Sequence, residues 1–201
     1  MNRVVIASNN PGKLRELGAL LAAAGIQASP QAEFHVTEAE EPHDTFLENA
    51  LAKARNASRV TGLAALADDS GLCVPALGGE PGVHSAHYAG KGGTREERDA
   101  RNNAKLVAAL AGKPDRSAFY YCLLVLVRGP GDPTPIVADG TWRGAIVPEP
   151  RGSGGFGYDP YFEVARGVTA AELSAAEKNR VSHRALALAA LAARLSSSSA
   201  S

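Results

Sequence analysis

Leu63-Ala64-Ala65-Leu66-Ala67-Asp68-Asp69-Ser70-Gly71-Leu72 joins a short apolar run to two adjacent carboxylates. The apolar part predicts a buried strand, and in an open α/β sheet ligands bind where such strands end. Because side chains alternate across a strand, only one of the two Asp residues can easily face any one site. We therefore expect a working carboxylate beside a supporting one at a strand end, with Gly71 allowing a sharp turn behind them. The alternative is an ordinary acidic turn.

The overall composition gives no sign of a nucleic-acid or membrane partner. The chain has 201 residues, and its 21 Lys and Arg residues balance 21 Asp and Glu residues, so the formal net charge is zero. That length allows one large domain or two small lobes with a substantial core. Because no global charge attracts DNA or an anionic membrane, any anion site must be local.

The cysteines and the apolar segments favour a cytoplasmic protein. Cys73 and Cys122 have apolar neighbours and no metal-like spacing, which predicts buried thiols and fits a reducing cytosol. The first residues lack the apolar stretch and cleavage site of a signal peptide. No apolar segment reaches the roughly 20 residues that span a bilayer.

Strand and helix signals alternate in the first third of the chain. Residues 4–7 read as a strand, after which Asn10 is a good N-cap and Pro11 suits the first helical position. Thr45 and Glu48 form a capping box that opens a second helix to about residue 59. Gly25 and Gly62 end these two helices. The predicted inward-facing residues are Leu14, Leu17, Leu20 and Leu21 in the first helix and Leu47, Ala50, Leu51 and Ala54 in the second.

The rest of the chain continues the mixed pattern and predicts an α/β fold. We expect a mixed sheet flanked by helices, two lobes with a cleft, one domain over residues 1–195 and a disordered Ser-rich tail over 196–201. The supporting segments are an ordered, functional loop over 74–94, a helix capped by Thr94 and Glu97 to about 111, a strand over 119–128, one or two strands over 136–146 broken by Gly140 and Gly144, a glycine-rich loop over 151–161, and a helix capped by Ser182 to 195.

The junction between the first strand and the first helix, residues 8–13, has features that favour phosphate binding. A helix N-terminus offers free N–H groups and partial positive charge. Ser8 and Asn10 add polar side chains, and Lys13 adds a cation whose charge opposes the helix dipole unless an anion lies nearby. The segment lacks the Walker A pattern. The alternative is a capped helix with a solvated lysine.

An acidic loop precedes the second helix and predicts a cation site. Mg²⁺ typically takes one or two carboxylates plus substrate phosphates. The loop carries Glu38, Glu40, Glu41 and Asp44, and one of its glutamates together with an Asp of the adjacent pair would make such a site. A solvated acidic loop is the alternative. On the polar face of the helix, Asn49 and Lys53 lie one turn apart. Lys53 could reach a phosphate, although a solvated face is the commoner outcome.

Two later segments have features of a site for a planar base. In the glycine-rich loop, Phe156 could stack on such a base and Asp159 could accept from its N–H groups. The alternative is a hairpin turn with Phe156 as a core residue. His183 and Arg184 occupy the first turn of the last helix, where cations are mildly disfavoured, which indicates a ligand. The alternative there is a simple basic helix start.

Together these segments resemble the inosine triphosphate pyrophosphatase family, the non-canonical purine nucleoside triphosphate pyrophosphatases. The resemblance covers residues 3–195. Its motifs are Ala7-Ser8-Asn9-Asn10-Pro11-Gly12-Lys13, Glu40-Glu41, Thr45-Phe46 with Glu48-Asn49-Ala50 and Lys53, Ala67-Asp68-Asp69-Ser70-Gly71-Leu72, Gly79 with Pro81-Gly82-Val83 and Ser85-Ala86, Gly154-Gly155-Phe156-Gly157-Tyr158-Asp159-Pro160, and Glu177-Lys178-Asn179 with Ser182-His183-Arg184.

The resemblance implies an elongated fold with a cleft between two lobes, a homodimer, and Mg²⁺-dependent hydrolysis of ITP, dITP and XTP to the monophosphate and pyrophosphate. It implies that Asp69 is the general base and a metal ligand, with Glu41 as the second ligand. The implied triphosphate and sugar contacts are Ser8, Asn9, Asn10, Pro11, Gly12, Lys13, Lys53 and Ser70. The implied base contacts are Phe156, Gly157, Tyr158, Asp159, Lys178, His183 and Arg184.

Two positions depart from the family pattern, and two other functions remain possible. Ser8 stands where many members carry Thr, and His87 stands where Arg is usual. A Maf-like pyrophosphatase acting on pyrimidine or modified nucleotides is the nearest alternative, and the Phe156 loop argues against it. A module that senses nucleotides without hydrolysis would not need Asp69 and Glu41.

Overall fold

The computed structural model describes residues 3–23, 25–165 and 167–198, which contain seven strands and five α-helices. In chain order these are β1 Arg3–Ile6, α1 Pro11–Ala23, β2 Gln27–Pro30, α2 Phe46–Thr61, β3 Ala65–Cys73, α3 Arg95–Ala109, β4 Ser117–Val127, β5 Ile136–Ile146, β6 Phe162–Ala165, β7 Val168–Thr169, α4 Ala175–Val181 and α5 His183–Ser198. Short 3₁₀ turns cover Gln31–Phe34, Pro75–Leu77, Gly82–His87 and Asp159–Tyr161.

The strands form one mixed sheet in the order β2-β1-β3-β4-β5-β6-β7. Strand β1 pairs in parallel with both β2 and β3, with Val5 opposite Ala65. Strand β6 pairs in antiparallel fashion with β5 and β7, with Ala145 opposite Glu163. The predicted mixed α/β fold is therefore confirmed.

The chain divides into two compact units, each with its own apolar core. The first unit is Met1–Asp69, Cys122–Gly140 and His183–Ser201, and the second is Ser70–Tyr121 and Thr141–Ser182. The first core contains Val4, Ile6, Leu17, Leu21, Leu66, Cys122, Leu124, Leu126, Ala138, Ala187, Leu188 and Leu191. The second contains Leu72, Val74, Leu106, Leu110, Ala118, Tyr120, Trp142, Ile146, Tyr158, Phe162 and Ala170.

Two of the predicted helix starts, at Asn10 and Thr94, are formed by the predicted caps, and the Thr45 side chain caps α2 without the full capping box. The Asn10 side-chain oxygen accepts hydrogen bonds from the backbone N–H groups of Gly12 and Lys13 at 2.9 and 3.3 Å. Thr94 and Glu97 make both hydrogen bonds of a capping box at the start of α3. Each cap satisfies N–H groups that the first helical turn leaves without a partner, which fixes where the helix begins.

Strand β3 runs through the two carboxylates instead of ending before them. It spans Ala65–Cys73, so the prediction of a strand end at Asp68 and of a turn at Gly71 was wrong. A Cβ atom at Gly71 would lie 2.2 Å from the carbonyl oxygen of Gly82 and 2.6 Å from Ser85 Oγ. Gly71 is therefore needed for close packing, which lets the strand continue past the acidic pair.

Strand β5 is likewise continuous over Ile136–Ile146, and its glycines do not break it. A Cβ atom at Gly140 would lie 2.3 Å from the His183 carbonyl oxygen and 2.4 Å from the Ala187 nitrogen. A Cβ atom at Gly144 would lie 2.2 Å from the Glu163 carbonyl oxygen. Both glycines thus allow other backbone segments to approach the strand closely.

Other differences concern helix faces and short elements. In α2, Leu47 was predicted to face inward but is 43% exposed, whereas Asn49 and Lys53 are buried. The sequence reading missed β2, β6, β7 and α4 because they are short. Helix α5 continues to Ser198, beyond the predicted end at residue 195. The Leu20 side chain and the end of the predicted disordered tail lie outside the described residues. None of the helices in the described ranges is long and apolar enough to cross a membrane.

We expect Gly140→Ala to lower the free energy of unfolding by about 1–3 kcal/mol, because the added methyl group meets backbone atoms that cannot rotate away. Gly129→Ala in the same unit is the matched control, since a Cβ atom there meets no atom within 4 Å. Urea denaturation of both variants measures the difference, and equal stabilities would contradict the packing role of Gly140.

Candidate active site

Asp68 and Asp69 lie side by side within β3, and each has its own set of partners. Both are almost fully buried, with 1% and 4% of their surface exposed. Asp68 forms ion pairs with Lys13 at 3.1 Å and Arg184 at 3.4 Å. Asp69 faces Lys53 at 3.4 Å and accepts a hydrogen bond from the Asn49 amide at 3.3 Å. The strand alternation therefore separates the pair as the sequence predicted.

Asp68 supplies the negative charge that two helix starts require. Lys13 lies in the first turn of α1 and Arg184 in the first turn of α5, positions where the helix dipole disfavours a cation. Arg184 also forms an ion pair with Glu16 at 2.6 Å. Because Lys13 and Arg184 are largely buried and ion-paired, the alternatives of a solvated lysine and of a simple basic helix start were wrong.

Lys53 connects Asp69 to the acidic loop. Its ammonium group lies 2.9 Å from Glu41 Oε1 and 3.4 Å from Asp69 Oδ1. Only 7% of the Lys53 side chain is exposed, against 38% for Glu41. The alternative of a solvated helix face was therefore wrong for Lys53, whereas the alternative of a solvated acidic loop holds in part, because Glu41 is exposed although it pairs with Lys53.

Asn49 is a residue of this cluster whose contacts the sequence reading missed. Its amide nitrogen donates to Asp69 Oδ2 and to the His43 carbonyl oxygen, and its side-chain oxygen accepts from the His43 N–H. These bonds fix the acidic loop relative to Asp69. The available signal was the pairing of Asn49 with Lys53 one turn later, which was assigned to a polar helix face.

Charge and burial give the two adjacent carboxyl groups opposite pKa shifts. Burial alone would raise the pKa of Asp68, but Lys13 and Arg184 outweigh it and hold the pKa well below its ordinary value. Burial raises the pKa of Asp69 above its ordinary value, and the charge of Lys53 offsets that rise only in part. Asp68 is thus held as an anion, whereas Asp69 has the greater affinity for a proton.

The segment that joins β1 to α1, residues 7–10, supplies further polar groups in the first unit. Ser8 is buried, and its hydroxyl oxygen accepts a hydrogen bond from the Asn10 N–H at 3.2 Å. Gly12 is buried, whereas Asn9 and Pro11 are exposed. Because Ser8 and Asn10 already accept from the N–H groups of Asn10, Gly12 and Lys13, the positive charge at this junction comes from the Lys13 side chain and the dipole of α1.

In the second unit, Asp159 organises the glycine-rich loop. It is 2% exposed, and its Oδ2 atom accepts from the Phe156 N–H at 2.7 Å and pairs with the Lys178 ammonium at 2.8 Å. Its Oδ1 atom accepts from the Tyr120 hydroxyl at 3.2 Å. Lys178 also lies 4.9 Å from the centre of the Phe156 ring. Phe156, Asp159 and Lys178, which the sequence placed in one site, are therefore brought together.

Other predicted residues have varied surroundings. Tyr158 is buried, and its hydroxyl donates to the Ser85 carbonyl oxygen at 2.8 Å. Ser70 follows Asp69 in β3 and is half-buried. His183 is buried at the start of α5. His87 lies in a 3₁₀ turn with its ring centre 5.8 Å from that of His84.

Asp99 and Asn103 of α3 are further site residues that the sequence reading missed. Asp99 accepts a hydrogen bond from the Gly157 N–H at 3.0 Å, and the Asn103 amide donates to the Gly157 carbonyl oxygen at 3.0 Å. A usable signal was the Asn102-Asn103 pair inside a helix, since asparagine is disfavoured in helix interiors without a specific partner.

The two carboxylates of Asp69 and Glu41 suit a hard divalent cation. Both approach one positively charged atom, Lys53 Nζ, so this part of the cluster already accommodates a cation between carboxylate oxygens. Within the described ranges, no group of three or more His, Cys, Asp or Glu side chains is placed to hold a metal ion. Further ligands would therefore come from a bound substrate.

Comparison with known proteins agrees with the motifs. The Ham1 family model matches residues 4–194. A dITP/XTP pyrophosphatase of Burkholderia pseudomallei is 64% identical over 96% of this chain and 93% of its own length. One from Ralstonia nicotianae is 62% identical over 97% of both chains. The solved structure of a HAM1 protein from Coxiella burnetii has a TM-score of 0.88 at 48% identity, covering 98% of this chain and 100% of its own. The resemblance is confirmed, and the chain belongs to the Ham1 family.

Proposed function

We propose that this protein hydrolyses the non-canonical purine nucleotides ITP, dITP and XTP to the monophosphate and pyrophosphate. The observation that carries the proposal is the arrangement of Asp69, Glu41 and Lys53, which places a proton acceptor beside a carboxylate and a cation. Membership of a family whose members include dITP/XTP pyrophosphatases supports the choice of substrate.

Mg²⁺ is the proposed cofactor, held by Glu41 and Asp69 together with substrate phosphate oxygens. This ligand set is typical of Mg²⁺ in proteins that act on nucleotides. When bound, the ion would neutralise charge that develops on the phosphates. Lys53 lies beside the same two carboxylates, and its positive charge would act on the phosphates together with that of the ion.

Asp69 is the proposed general base. A water oxygen bonds to the α-phosphorus, the bond from that phosphorus to the bridging oxygen breaks, and pyrophosphate leaves. The water proton passes to Asp69, whose raised pKa favours its acceptance at neutral pH. Asn49 holds the Asp69 carboxylate in position through its amide. Asp68 remains ionised and orients Lys13 and Arg184.

The polyphosphate is bound by residues of the first unit. Phosphoryl transfer depends mainly on positioning and charge stabilisation. Lys13 and Lys53 supply positive charge, and the dipole at the start of α1 adds to it. Asn9, Pro11 and Ser70 complete the set of proposed triphosphate and sugar contacts.

Phe156 and Lys178 are the main proposed contacts of the purine base. A 6-oxo group accepts hydrogen bonds from a cation, whereas the 6-amino group of adenine does not. Discrimination that depends on unpaired polar groups can reach roughly 10⁴. Because Arg184 is paired with two carboxylates, Asp68 and Glu16, whereas Lys178 pairs with Asp159, we give Arg184 the smaller share of this selectivity. Gly157, Tyr158, Asp159 and His183 are the other proposed residues around the base.

Assembly as a homodimer and action in the cytoplasm complete the proposal, with neither nucleic acid nor membrane as a partner. The balanced charge of the chain supports the absence of an anionic partner. Sedimentation analysis at micromolar concentration tests the dimer, and a single species of 20.8 kDa would contradict it.

A panel of nucleoside triphosphates tests the proposed function. We expect pyrophosphate, not phosphate, from ITP, dITP and XTP, and far slower release from ATP and dTTP. Removing divalent ions with a chelator should lower the rate roughly a hundredfold or more, since such an ion contributes several kcal/mol to charge stabilisation. Preference for dTTP would instead support the Maf-like alternative, and binding without turnover would support a sensor.

The two adjacent carboxylates should differ in their effects on stability. At pH 7, Asp68→Asn should lower the free energy of unfolding by about 3 kcal/mol, because it leaves buried cations without their anion. Asp69→Asn should change it by less than about 1 kcal/mol, because a carboxyl group with a raised pKa gains nothing from ionisation on folding. Urea denaturation of both variants measures the contrast, and equal losses would contradict the division of roles.

A further inference from the structure

We infer that Asp99 and Arg95 of helix α3 are positioning residues for the base-binding loop. The inference rests on the proposed function, because it assigns Phe156 to the purine. It adds two residues from outside the glycine-rich loop and outside the motifs that carried the resemblance. All of the residues involved lie in the second unit.

The backbone on both sides of the Phe156 ring is held by a carboxylate. The N–H of Phe156 donates to Asp159 Oδ2 at 2.7 Å, and the N–H of Gly157 donates to Asp99 Oδ2 at 3.0 Å. These two N–H groups flank the Cα atom of Phe156. Fixing both restricts the backbone rotations that would swing the ring, so the direction of the ring depends on both carboxylates.

Each of these carboxylates is also paired with a cation that lies over the same ring. The oxygen of Asp159 that holds the loop contacts Lys178, whose ammonium is 4.9 Å from the ring centre. The oxygen of Asp99 that holds the loop lies 3.9 Å from Arg95 Nε, and the Arg95 guanidinium carbon is 4.7 Å from the ring centre. The two pairs therefore repeat one arrangement, with a cation at cation–π distance in each.

Helix α3 holds the loop by a further bond. The Asn103 amide donates to the Gly157 carbonyl oxygen at 3.0 Å and to the Asp99 carbonyl oxygen at 2.9 Å. Both polar groups of the Gly157 residue are therefore bound by side chains one helical turn apart. Gly157 has a φ of 64°, a left-handed conformation that glycine adopts readily.

Asp159 and Asp99 differ in how far their side chains are exposed, so they differ in how far a substitution would disturb packing. The Asp159 side chain is 3% exposed and that of Asp99 is 29% exposed. Asp159 is thus part of the interior, whereas Asp99 can be changed with less effect on packing. Asp99 is the residue through which the position of the ring can be tested with the fold preserved.

Isothermal titration with two probes, IMP for the base end and inorganic triphosphate for the phosphate end, tests the inference. In Asp99→Ala we expect the Kd for IMP to rise about tenfold, the effect typical of a lost hydrogen bond to a charged group. The Kd for inorganic triphosphate should stay unchanged. Asp99→Asn keeps an acceptor for the Gly157 N–H and should recover most of the IMP affinity. Glu96→Ala removes an exposed carboxylate of the same helix turn and is the matched control.

The outcomes separate the inference from the proposed function. If wild-type protein binds IMP and Asp99→Ala binds it equally well, the positioning role is overturned while the proposed function stands. If wild-type protein binds neither probe, the proposed function fails and the inference with it. Should Asp99→Ala not fold, Asp99→Glu replaces it, because it keeps the charge but displaces the acceptor by one methylene group. Equal IMP affinity in Asp99→Glu and Asp99→Asn would then overturn the inference.

Discussion

The burial of two adjacent carboxylates in the middle of β3 is the constraint on which the site depends. Taking a carboxylate out of water costs several kcal/mol unless charge and hydrogen bonds replace the water. At Asp68 the replacement comes from Lys13 and Arg184, which lie at the starts of two helices. At Asp69 it comes from Lys53 and Asn49 on a third helix. One strand segment is therefore contacted by α1 and α5 at their first turns and by α2 through Asn49 and Lys53, all in the first unit.

The same constraint gives the two carboxylates different chemistry. Asp68 has two cationic partners and a lowered pKa, so it acts as a fixed anion. Asp69 shares Lys53 with Glu41, and burial raises its pKa. A carboxyl group with a raised pKa, beside a second carboxylate and the Lys53 ammonium, is suited to base catalysis on a polyphosphate. In the second unit, carboxylates paired with cations also fix a side chain, but here Asp159 and Asp99 bind the backbone beside the Phe156 ring and not a reacting group.

Local sequence signals predicted the caps at Asn10 and Thr94 and the mixed α/β fold, because these depend on neighbouring residues and on simple periodicity. These signals failed where a residue's structure depends on contacts with segments that are distant in the sequence. Gly71 and Gly140 were read as turn or break signals, but each makes room for a segment far away in the chain. The contact between Lys53 and Asp69 was not predicted, because the two residues are 16 positions apart. Asp99 was missed for the same reason, since its partner Gly157 is 58 positions away.

Single-turnover hydrolysis of dITP by Asp69→Asn, with Asn49 and Lys53 intact, tests whether Asp69 is the base. We expect the variant to bind dITP with an affinity close to that of the wild type, while the rate of pyrophosphate formation falls by about two orders of magnitude or more. The fall should persist at saturating dITP and saturating Mg²⁺, which separates proton transfer from binding. A rate equal to that of the wild type would contradict the assignment of Asp69 as the base.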